Sequence, residues 1–211
     1  MSVQEDDPDR FKPVMTQSNT QSNTARFEFR CWPVATSRAP PLQDLLGPAA
    51  PERRTDLYVV LPRRTDLLCK LRDGERLQIK TLAARDGRLE CWTMPLDSAF
   101  PLDQATRQLC SELLGAPPDQ IAAASSAAFV QRMQQAGVAI MPMRKTRRQA
   151  MVDGVKLEST LARAQGRLRW TVALEGRDAP ALATCIGMLG LSGLPNESYA
   201  VWLADLLRQS R

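Results

Sequence analysis

The residues with chemistry to offer are lysines, arginines and glutamates that recur two positions apart. Arg26, Glu28 and Arg30 do so in "RFEFRCW", Lys70 and Arg72 in "DLLCKLR", Gln78 and Lys80 in "RLQIK", and Arg88 and Glu90 in "GRLEC". Lys145 and Arg147 follow in "MRKTRRQ", Lys156 and Glu158 in "VKLE", and Arg167, Arg169, Thr171 and Glu175 in "GRLRWTVALEG". A spacing of two puts each set on one face of a pleated strand and leaves Phe27, Phe29, Leu77, Ile79, Leu89, Leu157, Val172 and Leu174 on the other. Guanidinium forks and ammonium charges grip successive phosphoryl groups, and carboxylates hold Mg²⁺ or Mn²⁺ through oxygen. Arg30, Lys70, Arg72, Lys80, Arg88, Lys145 and Arg147 are the candidate phosphate binders, and Glu28, Glu90, Glu158 and Glu175 the candidate metal ligands.

Two architectures house seven strands of one polarity. One is an open antiparallel sheet whose charged face meets water, which requires no function. The other is a closed barrel with its pattern inverted, polar inside and apolar outside, where helices shelter the outer hydrophobics. A lumen with that many cations repels itself unless carboxylates and a bound polyanion neutralise it. Glu28 and Glu175 read equally well as salt-bridge partners of neighbouring arginines. Lys145 also reads as a solvated charge, because Arg144 and Arg148 make both faces of "RKTRR" basic.

The elements that position these residues come in two rounds. Residues 1–24 are polar, with the repeat "QSNTQSNT", and read as a disordered leader; residues 25–211 read as one domain. A Pro- and Ala-rich stretch from Pro33 to Arg54 reads as a loop with a helical turn at "LQDLL". The strands "TDLYVVLP", "DLLCKLR", "RLQIKTLAA" and "GRLECWTM" form a meander with turns at "RDGE" and "ARDG". Helices are expected over "LDQATRQLCSELLG" and "PPDQIAAASSAAFVQRMQQAG". Three more strands and two helices follow, with Asp178 and Asn196 as N-caps. Tyr199 and Trp202, three apart, are expected to pack the last helix rather than touch a ligand.

Composition narrows the chemistry further. The 211 residues carry 28 Lys+Arg against 23 Asp+Glu, a net +5 that favours an anionic partner. With no histidine, imidazole acid–base catalysis and His-ligated metal are excluded. Five dispersed cysteines without a CxxC pair read as reduced, mostly buried hydrophobes of a cytoplasmic protein, and no apolar run is long enough for a membrane span. Few aromatics are available for base stacking, so only "RKTRRQ" supports a nucleic-acid partner.

The order "FEFR", "KLR", "LQIK", "RLEC", helices, "MRKTR", "VKLE", "TVALEG" and "SYAVWL" resembles the CYTH family, the triphosphate tunnel metalloenzymes, from about Ala25 to the C-terminus. The resemblance implies an α+β fold: an eight-stranded antiparallel β-barrel with a polar lumen, flanked by helices. It implies a metal-dependent hydrolase of inorganic triphosphate or a nucleoside or organic triphosphate, or an adenylate-cyclase-like enzyme, with Mg²⁺ or Mn²⁺ as cofactor. The chain departs from the family at Arg26, which replaces the first glutamate of the signature. Trp92 and Ala173 likewise stand where second acids accompany Glu90 and Glu175. The hydrolase is the first reading; these departures support the alternative of a catalytically lapsed polyphosphate- or nucleotide-binding protein, and either is monomeric or homodimeric.

Overall fold

The charged side of the strands faces a lumen. The computed structural model describes residues 25–33, 40–48 and 50–210; the expected leader and part of the Pro- and Ala-rich stretch lie outside them. Its strands are β1 (Arg26–Cys31), β2 (Glu52–Val60), β3 (Leu67–Arg72), β4 (Arg76–Asp86), β5 (Leu89–Ala99), β6 (Ala139–Val152), β7 (Val155–Ala164) and β8 (Arg167–Gly176). They close into an antiparallel barrel in the order β1-β5-β4-β3-β2-β6-β7-β8, with β1 bonded to both β5 and β8. Closure leaves no open sheet, so of the two architectures the inverted barrel is the one observed. Of the expected hairpin turns, "RDGE" has positive φ at Asp73 and Gly74 and "ARDG" at Gly87 alone; the β6–β7 and β7–β8 turns have it at Asp153 and Gly154 and at Gln165 and Gly166.

Six helices flank the barrel among the described residues: α1 (Pro40–Leu46), α2 (Gln104–Leu114), α3 (Pro118–Ile121), α4 (Ser126–Gln135), α5 (Ala179–Met188) and α6 (Tyr199–Gln209). Outward Val59, Cys69, Leu71, Leu77 and Ile79 are buried under Cys110, Ile121, Phe129 and Met133 of α2 to α4. Outward Phe29, Cys31, Leu157, Val172 and Leu174 are buried under Leu182, Cys185 and Ile186 of α5. The long second helix of the sequence reading is broken at Ala122–Ser125, where Ser125 caps α4 by accepting from Ala128 N. Asp178 caps α5 as expected, accepting from Ala181 N. Asn196 is not a cap: its side chain accepts from Arg30 N and donates to the Glu28 and Arg88 carbonyls, tying the approach to α6 onto β1. All five cysteines are free, and among the described residues no helix is long and apolar enough to cross a membrane.

The β8–α5 junction is tight. A Cβ at Gly176 would meet Leu182 Cδ1 at 2.7 Å, and Leu182 is fully buried. Gly176→Ala is therefore expected to cost about 1 kcal/mol through overpacking, read as a lower urea midpoint. An unchanged midpoint would show that Leu182 swings aside freely.

Candidate functional site

Inward residues near one end of the barrel are apolar. Val60, Met141, Met143, Ala162 and Ala164 pack with Trp202, Leu203 and Leu206 of α6, which closes that end. Above this floor lies a cavity of about 440 Å³ lined, among the described residues, by nine Lys and Arg side chains against four glutamates. The side chains of Arg26 and Arg72, at the opposite end, are 49% and 44% exposed and mark the mouth. The lumen is thus a cup, not a through-tunnel.

Six of the seven candidate phosphate binders line the cup: Arg30, Lys70, Arg72, Lys80, Lys145 and Arg147. Arg88 does not. It stands at the end of the β4–β5 turn, donates to the Ser192 and Leu194 carbonyls, and lies over Phe29 outside the cavity. Arg88 precedes β5, in the turn where alternation no longer fixes a side, and its guanidinium turns to the outer face over Phe29. Lys145, which the sequence left open to solvent, is instead almost wholly buried, while Arg144 is exposed on the outer face.

The floor of the cup is built by residues the sequence did not flag. Asp56, completely buried on β2, accepts from Lys145 Nζ at 2.9 Å and pairs with Arg54 at 3.2 Å and Lys70 at 3.6 Å. Lys145 also donates to the Tyr58 hydroxyl at 2.6 Å. Burial, reinforced by Lys70, pushes the Lys145 ammonium down to about 7 against the pull of Asp56. Burial likewise lowers Lys70 to about 8, although Asp56 opposes it. Burial favours the neutral Asp56 acid, but Lys145, Lys70 and Arg54 outweigh it and hold the carboxyl at about 2. Tyr199 is a correction to its expected role. It packs α6 but also lines the cup, with the Arg30 guanidinium 4.1 Å and the Lys145 ammonium 4.4 Å from its ring centre. Trp202 packs only.

All four candidate metal ligands face the cup, and all four are held by groups of this chain. Glu28 accepts from Lys80. Glu175 pairs with Arg26 at 3.0 Å and Lys156 at 3.9 Å. Glu90 accepts from Arg85 at 3.3 Å and Trp92 Nε1 at 3.1 Å. Glu158 accepts from Arg30, Arg147, Gln149 and Thr160, at 2.7 to 3.2 Å. Burial favours the neutral form of Glu158, but Arg30, Lys145 and Arg147 outweigh it and keep the carboxylate ionised. Among the described residues no three carboxylates or thiols are grouped to hold an ion. As arranged, this donor set does not fit Mg²⁺ or Mn²⁺, which need oxygen lone pairs turned toward a common centre.

No protein-family model and no curated protein sequence matches the chain. Among solved structures it is similar to a conserved hypothetical protein of Pyrococcus furiosus (16% identity, 83% of this chain and 98% of that one, TM-score 0.48). It is also similar to a Pyrococcus horikoshii protein (14%, 87% and 99%, 0.47). A third is a Bacillus halodurans protein described as a candidate adenylate cyclase (10%, 82% and 93%, 0.46). At these identities and scores the likeness decides nothing about activity.

Proposed function

We propose that the cup binds the triphosphate group of a small molecule, or the end of a polyphosphate chain, with its terminal phosphate toward Lys145 and Arg30. The observation that carries this reading is the excess of nine lining cations over four glutamates in a cavity closed at one end. Such an excess in a low-dielectric enclosure is self-repulsive when empty and is relieved by an anion of several charges. The mouth beside Arg26 and Arg72 suits a linear anion entering end-first, with any organic moiety left outside. The sequence resemblance to triphosphate tunnel proteins points the same way.

A second reading, hydrolysis of the terminal phosphoryl group, is favoured by Lys145. The Lys145 ammonium on the floor, bonded to Asp56 and to the Tyr58 hydroxyl, would face the terminal phosphoryl group and stabilise the charge that develops on it. Water oxygen would attack the terminal phosphorus in line, the bridging P–O bond would break, and Arg30 and Arg147 would stabilise the charge on the transferred group.

The test measures thermal stabilisation by inorganic triphosphate, ATP, thiamine triphosphate and orthophosphate, alongside phosphate release with and without Mg²⁺ or Mn²⁺. A Lys80→Ala control accompanies both. Stabilisation by the triphosphates that exceeds orthophosphate and falls in the control is expected. Equal indifference to all four would sink the reading, and release abolished in the control would make the protein an enzyme rather than a binder.

A further inference from the structure

The cup contains three carboxylates in one row across three neighbouring strands, because the register sets Glu28 of β1 opposite both Glu90 of β5 and Glu175 of β8. Side chains directly opposite on adjacent strands have Cβ atoms about 5 Å apart, and like charges so placed repel. A row of this kind needs positive charge between its members. Elsewhere that charge is supplied by a divalent ion held through oxygen. Here the chain supplies it. The Lys80 ammonium, reaching in from β4, is in contact with Glu28 and attracted by Glu175, and the Arg26 guanidinium is bonded to Glu175 at 3.0 Å. Glu90, the third member, accepts from the Trp92 indole N–H at 3.1 Å and from the Arg85 guanidinium at 3.3 Å.

From this we infer that Lys80 and Arg26 take the electrostatic place of a divalent cation, so that the cup grips its anion without metal. The inference rests on the anion reading proposed above. Two tethered cations carry the charge of one dication, and they are already placed when the protein folds. Admitting Mg²⁺ would mean dehydrating the ion and breaking the Lys80–Glu28 and Arg26–Glu175 pairs. It would also leave both displaced cations beside a dication. Free Mg²⁺ should then compete for the anion in solution and not assist its binding.

Calorimetric titration of inorganic triphosphate into the protein in EDTA, and again in excess MgCl₂, reads this directly. Mn²⁺ binding by electron paramagnetic resonance supplies a readout that needs no turnover. Binding in EDTA, weakened about tenfold or more by Mg²⁺, with no Mn²⁺ retained by the wild-type protein, is the expected result. Arg26→Glu removes one internal cation and adds a carboxylate at the end of the row, and is expected to gain Mn²⁺ binding. Triphosphate binding only in the presence of Mg²⁺, Mn²⁺ retention by the wild type, or no gain in the Arg26→Glu variant would each overturn the inference. Binding in neither buffer would instead remove the anion reading on which it rests.

Discussion

Replacing Asp56 with Asn is expected to be the most destabilising single change in the barrel, costing roughly 3–5 kcal/mol and lowering the melting temperature by about 10 °C. Asp56 pairs with all three of Lys145, Lys70 and Arg54, whose further carboxylate is Glu52 at 3.8 Å from Arg54, and no part of Asp56 reaches solvent. Asparagine keeps the shape but removes the charge, leaving three enclosed cations with only the more distant glutamates to balance them. Asp56 also fixes an acid limit. Its folded pKa, about 2, lies below the ordinary 3.8, so the stability it contributes is complete above the unfolded value and is lost as pH falls through the folded one. Two further measurements separate charge from packing. Lys145→Met in the Asp56→Asn background should recover part of the loss, because it removes one stranded cation. Inorganic triphosphate should raise the melting temperature of Asp56→Asn more than that of the wild type, since the ligand restores the missing negative charge. A loss below about 1 kcal/mol would show that water reaches the floor and screens the cluster.

The strand polarity legible in the sequence is the polarity the barrel uses, and the particular misses show what alternation leaves out. "RFEFRCW" and "VKLE" point Arg30 and Glu158 to the same side, and the fold joins them at 3.2 Å although β8 lies between their strands. Neither closure nor strand order can be derived from a period of two, because the period fixes a side and nothing about height or neighbours. Arg88 stands just outside its strand, where the period no longer holds, and turns to the outer face. β2 shows the converse. Its first residues fell in the stretch read as a Pro- and Ala-rich loop, and "TDLYVVLP" carries a single acid and a tyrosine on its inward face, so Arg54, Asp56 and Tyr58 gave no repeated signal. Asp56 nonetheless anchors the floor, because in an enclosure full of cations one acid carries more weight than several at the surface. The place of Tyr199 in the cup was illegible for another reason: its helix returns to the barrel from outside the strand pattern, and only the tertiary fold lays its ring against Arg30 and Lys145. For the glutamates, the sequence supplied the members but neither the row, which the register makes, nor what fills it, since Lys80 reaches Glu28 from β4 and no local spacing relates the two.

Affinity for inorganic triphosphate is expected to fall on the order of a hundredfold between pH 7 and pH 9, with protons taken up on binding. In the free protein Lys145 titrates at about 7 and Lys70 at about 8, both lowered chiefly by burial. As pH rises through these values the cup loses two of the charges with which it would hold the anion. A bound polyanion stabilises the ammonium forms and raises both pKa values, so above pH 7 binding must draw protons from solvent, and each proton drawn steepens the decline in affinity. The same linkage has the opposite sign for folding. Both folded pKa values lie below the ordinary 10.5, the unfolded chain binds more protons between them, and the free protein gains stability as pH rises over that interval. Ligand-free melting temperature and ligand affinity should therefore move in opposite directions from pH 7 to pH 9, which separates a change in the cup from a general loss of structure. Titrations in buffers of different ionisation enthalpy count the protons, and Lys145→Arg, whose charge does not titrate in this range, should flatten the profile by one proton. A profile equally flat in the wild type would mean that both lysines are already charged in the empty cup, with their repulsion carried by Asp56 and the glutamates before any ligand arrives.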